Sequence, residues 1–488
     1  MAIDHDLLSI QEARDLAEAA YQAQLTWKHA TQEEVDRVCA AMADAAFAAS
    51  AQLGQMAHDE TGYGIAAHKK LKNELGSRVV WESIKDVKTV GVVHHDPQHK
   101  IYDIAWPVGV IAALVPSTNP TSTAMFKAIS AVKARDAIVI APHPSAARCT
   151  YETVRIMQQA AVKAGAPINL ISCIQHISLP GTQELLEHKR VRLILATGGS
   201  AMVKAAHSVG KPAYGVGPGN IPVYVDRSAD LKKAAHYIIN SKAFDCSTIC
   251  ASEQSVIADK PIADQLKQLM ISEGAYFSNE EQTERLRKLL FHPNGAINTT
   301  TVGKPAQTIA GMAGFSIPQY ARVIVAPLKI TGKDEPLSRE KLTTVLGWYE
   351  EDGWEAGCDR SIELIMFGGR GHTQVIHATD ENVIMAFGLE KPVFRILVNT
   401  MGTLGAVGLT TGLMPSMTLG AGGEGGSITG DNVTVHHLYN IKRLAYETTP
   451  PPQAALRGPM PASAALSNTQ DIESLVQQVV QEIINQTK

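Results

Sequence analysis

The sequence, 488 residues long, is most informative first in what it lacks. It contains no run of about 18 apolar residues, which excludes a membrane-spanning helix. It has no charge excess: 44 basic side chains face 48 acidic ones, a formal net charge of −4, so neither nucleic acid nor a membrane surface is an expected partner. Cysteine is sparse, six residues at 39, 149, 173, 246, 250 and 358, too scattered for a disulfide framework and suited to a reducing cytoplasm. The opening MAIDHDLLSIQEARDL carries early acids and no long apolar core, so neither a secretory signal nor a transit peptide is read there. What is present, 45% hydrophobic and 19% charged residues, describes a globular protein with room for two or three domains and a small-molecule partner.

One stretch concentrates reactive chemistry. Ser241–Val256 reads SKAFDCSTICASEQSV and sets Cys250 before an apolar, strand-like run. A thiol attacks a carbonyl only as its thiolate, so it needs an open approach and amide or positive neighbours; the small Ser247, Ala251 and Ser252 are expected to leave that room. Cys250 is therefore the candidate nucleophile, against the alternative of a small core hydrophobe. Cys246 precedes it by four residues, but no second Cys/His pair at ligand spacing follows, so no metal site is expected and the role of Cys246 stays open.

The periodicity organises the rest. Residues 8–57 repeat apolar positions at helical spacing, with Thr31 as a cap, and ETGYG at 60–64 closes that region in a turn. Runs at 89–93 and 102–105 read as strands around HHDPQHK, making His94, His95 and His99 part of a polar turn. From Gly109, apolar runs at 109–115, 137–141, 170–173 and 191–196 alternate with helical stretches, which predicts a parallel sheet wound by right-handed crossovers. Ligands gather at the carboxyl ends of such strands, here 117–121, 141–145 and 197–200. Thr197-Gly198-Gly199-Ser200 before a helix is a candidate anion cradle, and YGVGPGNIP at 214–222 is a loop unusually rich in glycine. A second βα set follows, with 364–367 and 375–377 as paired strands, a helix at 381–387 and a strand at 394–399. The glycine-dense 400–430 reads as loops lining a site. TTPPP at 448–452 opens a linker, after which Ile472, Leu475, Val476, Val479, Val480 and Ile483 form one apolar helical stripe, a face suited to docking.

Taken in combination and order, VPSTNPTSTAMFKA, APHPSA, ATGGSAMV, GVGPGN, AFDCSTICASEQSV, SREKLTTVL, RILVNT and PSMTLGAGGEGGS resemble the CoA-acylating aldehyde dehydrogenases, most closely the aldehyde dehydrogenase half of bifunctional aldehyde-alcohol dehydrogenases. The resemblance implies an α/β fold with a Rossmann-type cofactor domain (1–95 and 109–235), an α/β catalytic domain (236–430) and a β-strand oligomerisation arm (96–108 and 431–447), then the linker 448–468 and the tail helix 469–488. It implies that Cys250 forms a thioester, with Asn119 and the Cys250 amide stabilising the oxyanion. For the cofactor it implies Ser117, Thr118, Thr197, Gly198, Gly199 and Ser200, with Gly217 and Gly219 in the glycine loop, Glu340 at the nicotinamide ribose and His143 near the adenosine ribose. NAD is expected; the turn at 142–145 has no acid to reject the 2′-phosphate of NADP.

Hydrolytic relatives carry a glutamate where this chain reads GVGPGN, so the resemblance implies transfer to coenzyme A rather than to water. The expected reaction is acetaldehyde to acetyl-CoA, with sulfoacetaldehyde, succinic semialdehyde or propanal as alternatives, and a non-catalytic assembly subunit as an alternative of another class. A homodimer or higher homo-oligomer is implied. The tail resembles helices that load enzymes into bacterial microcompartments, which makes shell proteins expected partners and a cytoplasmic microcompartment an expected location.

Overall fold

The structure, a computed structural model, describes residues 4–452 and 469–486. They divide into a large unit, up to residue 93 with 104–442, and a small one, 94–103 with the chain from 443 onward.

The large unit opens with helices whose inner faces are alanine. His5–Trp27 is capped by the Asp4 carboxylate, and Ala13, Ala17 and Ala20 are fully buried. Gln32–Ala48 starts in a capping box between Thr31 and Glu34, and Ser50–Thr61 stops at Gly62, whose φ of 67° is left-handed. The chain does not leave helix there for long. Ala66–Glu74, a π-helical turn at Leu75–Val79 and Val80–Ile84 follow in succession. This segment hides from an apolar-periodicity reading because its buried face is Lys69, Lys72 and Asn73. Its π turn passes so close to the Ser122 carbonyl that a Cβ on Gly76 would stand 2.5 Å from it.

The βα alternation gives a five-stranded parallel sheet in the order Ile171–Cys173, Ala137–Pro142, Val110–Val115, Val191–Thr197, Ala213–Val216. Val110–Val115 and Ala137–Pro142 are buried at every residue, the mark of strands covered on both faces. The stretch expected as one loop, 214–222, instead ends this strand set and starts another. Ile221–Val225 lies within the span expected for the cofactor domain but pairs into a seven-stranded sheet, so the sheets change at Gly217–Asn220. That sheet runs Ala275–Phe277, Val323–Pro327, Val345–Glu351, Glu253–Asp259, Ile221–Val225, Gln374–His377, Ile396–Val398, with every pair parallel.

One expected strand is helix. Residues 364–367 end the helix Trp354–Gly368, whose buried Gly357, Cys358, Ser361, Leu364 and Ile365 keep helical spacing; Gln374–His377 pairs with Ile221–Val225 and Ile396–Val398 instead. The run LIMF alone cannot distinguish the two periods. The glycine-dense 400–430 is mostly irregular, broken by the short helix Gly402–Ala406 and a 3-10 turn at Gly423–Gly425.

Val92–Asp96, Ile101–Pro107 and Tyr439–Ala445 form a three-stranded sheet, and the division between units falls inside these strands. His94 and His95 belong to the first strand rather than to the turn, because pairing continues to Asp96. In the small unit His95 stacks on Tyr102 at 4.0 Å, and His99 Nδ1 lies 2.7 Å from Asp96 Oδ2. The expected linker lies, from 453 to 468, outside the described residues. Thr469–Gln486 is helical, with Leu475, Val476, Val479 and Val480 exposed. No described helix is long and apolar enough to cross a membrane.

Candidate active site

The nucleophile stands after a backbone conformation that costs energy. Asp245, Cys246 and Ser247 have φ of 47°, 50° and 66°, three successive left-handed residues without a glycine among them. Each such residue costs on the order of 1–2 kcal/mol, so something must hold the turn. The Asp245 carboxylate does so: it accepts from the Ile65 amide (2.6 Å), Lys69 Nζ (3.1 Å), the Thr248 hydroxyl (2.7 Å) and Lys72 Nζ. Gly64 makes the space, since a Cβ there would stand 2.0 Å from Asp245 Oδ1. Burial alone would raise the Asp245 carboxyl, but the charges of Lys72 and Lys69 outweigh it and hold it below its ordinary value. Burial pulls Lys72 down to about 8 against the opposing pull of Asp245.

Cys250 follows at the tip of a tight turn, closed by the Ser252 amide on the Ile249 carbonyl at 2.9 Å, and the strand Glu253–Asp259 begins directly after. Ser247, Ala251 and Ser252 do not open an approach. They are fully buried, and the Ser247 and Ser252 hydroxyls bond each other at 2.8 Å, so their smallness packs the turn from beneath while Cys250 alone stays half-buried. Burial pushes the Cys250 thiol up to about 12 and Glu340 adds to the rise, against Arg395, the Cys250 amide and Lys72. At neutral pH the resting group is the thiol, so attack requires a base.

Three expected residues meet here. A Cβ on Gly219 would stand 2.2 Å from the Cys250 carbonyl oxygen, so only glycine lets the loop cross the nucleophile, and the Gly219 amide donates to Glu340 Oε1 at 3.1 Å. Burial raises Glu340 to about 7. Asn119 joins through Lys72, which donates to Asn119 Oδ1 at 2.7 Å and to the Thr248 hydroxyl at 3.1 Å. With its oxygen on an ammonium, Asn119 keeps its NH2 as a donor; in this structure it rests on Thr118 Oγ1 at 3.2 Å.

The expected cofactor residues stand at strand carboxyl ends. Half-buried Ser117 and Thr118 follow Val110–Val115. His143 follows Ala137–Pro142, its Nδ1 accepting the Ser145 amide at 3.2 Å, and its side-chain hydrogen bonds stay within that turn. Thr197 bonds Thr418 across hydroxyls at 3.1 Å, and Gly198 and Gly199 lead to the helix Ser200–Ser208. A Cβ on Gly199 would meet nothing within 4 Å, so open space lies over a helix start with free amides, which fits a dinucleotide pyrophosphate. Gly217 lines a cavity of about 370 Å³ with Lys204, His207, Arg370 and His372.

Four side chains at this site carried no role in the sequence reading: Lys72, Asp245, His372 and Arg395. Arg395 is buried, and all its N–H groups point at neutral acceptors: the Gly430 carbonyl (2.9 Å), Asn432 Oδ1 (3.4 Å), the His372 carbonyl (2.9 Å), the Gly420 carbonyl and Thr373 Oγ1 (3.3 Å). Burial and Arg395 drive His372 down to about 3, so its imidazole is neutral; Nδ1 meets Thr373 Oγ1 at 2.9 Å and Nε2 has no protein partner among the described residues. The signal for His372 and Arg395 was GGRGH and RILVN at the foot of two strands; Asp245 sat unassigned within AFDCSTICASEQSV, and Lys72 lay in no motif. Leu71, Leu75, Phe244, Ile249 and Met417 line, together with Lys72, a void of about 10 Å³.

Comparison with known proteins bears on the family and the fold. The aldehyde dehydrogenase family model matches residues 6–282. Aldehyde-alcohol dehydrogenase 2 of Entamoeba histolytica is 41% identical over 85% of the chain and 49% of its own length. The chain thus spans about half the length of the curated relatives it matches first. An acetylating aldehyde dehydrogenase from Geobacillus thermoglucosidasius superposes with a TM-score of 0.91, at 49% identity, over 92% of this chain and 100% of that one. A propionaldehyde dehydrogenase from the Clostridium phytofermentans fucose utilisation bacterial microcompartment superposes with a TM-score of 0.80, at 28% identity, over 88% and 96%.

Proposed function

We propose that this chain, which belongs to the aldehyde dehydrogenase family, oxidises a short aldehyde, best acetaldehyde, to its CoA thioester through Cys250. The observation that carries the reading is the close crossing of Gly219 over Cys250, in a loop, Gly217–Asn220, that offers water no carboxylate of its own. Cys250 Sγ bonds to the aldehyde carbon as its proton passes to Glu340, the carboxylate poised near neutrality. The Asn119 NH2 turns from Thr118 to the new oxyanion, beside the Cys250 amide. A bound nicotinamide dinucleotide, held by Thr197–Ser200, supplies the hydride acceptor. The C–H bond breaks and leaves an acyl thioester on Cys250. The CoA thiol attacks the acyl carbon, the Cys250–carbon bond breaks to release acyl-CoA, and the proton of the thiol passes to the departing Cys250 sulfur.

Substrate charge follows from the cations near Cys250. Lys72 and Arg395 are both occupied by protein acceptors, so neither is free to take an anionic aldehyde. Propanal is the second reading, supported by the propionaldehyde dehydrogenase likeness. For the cofactor, NAD is favoured over NADP because Glu60 folds back onto the start of Ala147–Lys163, accepting the Arg148 and Cys149 amides at 2.8 and 2.7 Å. That acid, far from the 142–145 turn in sequence, occupies the helix end a 2′-phosphate would seek.

The test is NADH formation from acetaldehyde with and without CoA, for the wild type and Cys250→Ala. CoA-dependent turnover that falls by roughly 10³-fold or more in the variant supports the reading. Turnover indifferent to CoA would mean hydrolysis, and a variant as active as wild type would mean that Cys250 is not the nucleophile. Pairing of the strand arm with a second copy and docking of the tail helix on a shell protein belong to the same proposal. The exposed Leu475, Val476, Val479 and Val480 support the second. Truncation after residue 452 is expected to abolish cofractionation with shell proteins.

A further inference from the structure

A lysine and a thiol are buried against each other outside the chemistry above. Cys358, in the first turns of Trp354–Gly368, and Lys391, just past Glu381–Glu390, are each 6% exposed, and Lys391 Nζ donates to Cys358 Sγ. The Phe387 ring covers the same nitrogen at 3.9 Å. Burial lowers the lysine from its ordinary value, against the opposing pull of Cys358 itself and, through space, of Glu390 and Asp359. A lysine nitrogen in contact with a thiol stands in place to attack that sulfur once it becomes electrophilic.

We propose that Cys358 and Lys391 form a peroxide-responsive covalent clasp, closed by an S–N bond. Hydrogen peroxide supplies the oxidant: its O–O bond breaks, the thiol becomes a sulfenic acid and one water leaves, the sulfur losing two electrons. The Lys391 lone pair then attacks that sulfur, the S–O bond breaks, and hydroxide departs with a proton from nitrogen as a second water, leaving a sulfenamide. Sulfenic acids are known to condense with nitrogen in this way.

Position gives the clasp something to act on. The helix that carries Cys358 ends at the site: its Leu364 carbonyl accepts from Asn220 Nδ2 at 2.8 Å. Lys391 leads straight into the other wall, where the Pro392 carbonyl accepts from Gly371 at 2.8 Å and Arg395 grips the His372 carbonyl. Closing the bond ties these two walls around His372.

The experiment is peptide mapping of the full-length protein after hydrogen peroxide treatment and thiol blocking, and it does not depend on the aldehyde reading because no turnover is measured. The expected result is a linked pair of peptides bearing Cys358 and Lys391, lighter than their sum by about 2 Da, reversed by dithiothreitol. The pair is absent from Cys358→Ser and Lys391→Arg. Cys358 left as a free thiol while Cys250 oxidises, or driven to sulfinic acid with no linked pair, overturns the proposal, and the wild-type map decides this even if a variant fails to fold.

Discussion

The two parallel sheets present opposite ends to the chemistry. In the five-stranded sheet the candidate residues end or follow a strand: Asn119 after Val110–Val115, His143 after Ala137–Pro142, Thr197 closing Val191–Thr197 with Gly198 and Gly199 after it. In the seven-stranded sheet every one precedes a strand: Gly219 before Ile221–Val225, Cys250 before Glu253–Asp259, Glu340 before Val345–Glu351, His372 before Gln374–His377, Arg395 before Ile396–Val398. The difference is electrostatic. Carboxyl ends of strands lead to helix starts, which offer free amides and a positive dipole end to an anionic cofactor. At the amino ends the loops turn carbonyls into the site, and those of Gly430 and His372 are answered by the buried Arg395. A groove of about 1030 Å³ does lie at the carboxyl ends of the seven-stranded sheet, lined by Pro327, Trp348 and Glu351, but it has no cysteine. Size and strand direction both point to the wrong end there.

If buried charge builds the nucleophile side and backbone builds the cofactor side, breaking one charge should cost far more than trimming a cofactor contact. Asp245→Ala strands Lys69 and Lys72 and releases the left-handed turn, so a loss of roughly 3–5 kcal/mol is expected in urea unfolding. His143→Ala, whose bonds are local to an exposed turn, is expected to lose under about 1 kcal/mol. Equal losses would dissolve the contrast.

The next effect is in pH. Burial raises Glu340 from 4.5 to about 7 in the fold, so between those values the folded state holds a proton that the unfolded chain has released. The contribution of Glu340 to stability therefore falls as pH rises through that window, by up to about 3 kcal/mol, and is constant above it. Glu340→Gln is expected to flatten that limb and to remove the rise in turnover near pH 7. A variant that keeps both limbs would take the base role from Glu340. Burial raises Glu253 to about 7 as well, so part of the stability slope survives in the variant while the turnover limb does not.

The same contrast explains what was legible. Strands such as VIAALV and AIVIAP declared themselves because continuous apolar runs are what a doubly covered sheet demands, and the cofactor loops followed from strand direction. Cys250, Gly219 and Glu340 came from motifs, and the fold brings them together. Ala66–Glu74 was invisible because its buried face is charged, and Lys72 and Asp245 lie 173 residues apart in sequence. No local pattern announces a pair whose meaning is mutual burial. The segment 364–367 failed for another reason, since four apolar residues in a row satisfy either period.

The smallest change tests the cofactor side alone. Gly199 has φ of −66°, which any residue adopts, and a Cβ there touches no protein atom within 4 Å. Gly199→Ala should therefore fold with its unfolding midpoint unchanged. The added methyl does occupy the space over the amides of Ser200–Ser208, so the KM for NAD is expected to rise about 3- to 10-fold, near 1 kcal/mol, with kcat held. Gly219→Ala meets the Cys250 carbonyl at 2.2 Å and should instead reduce kcat, because the loop must lift off the nucleophile. Two alanines of one size, one felt in KM and the other in kcat, would separate a cradle made of empty space from a nucleophile made of close contact. A Gly199→Ala enzyme with an unaltered KM would mean that the pyrophosphate lies elsewhere.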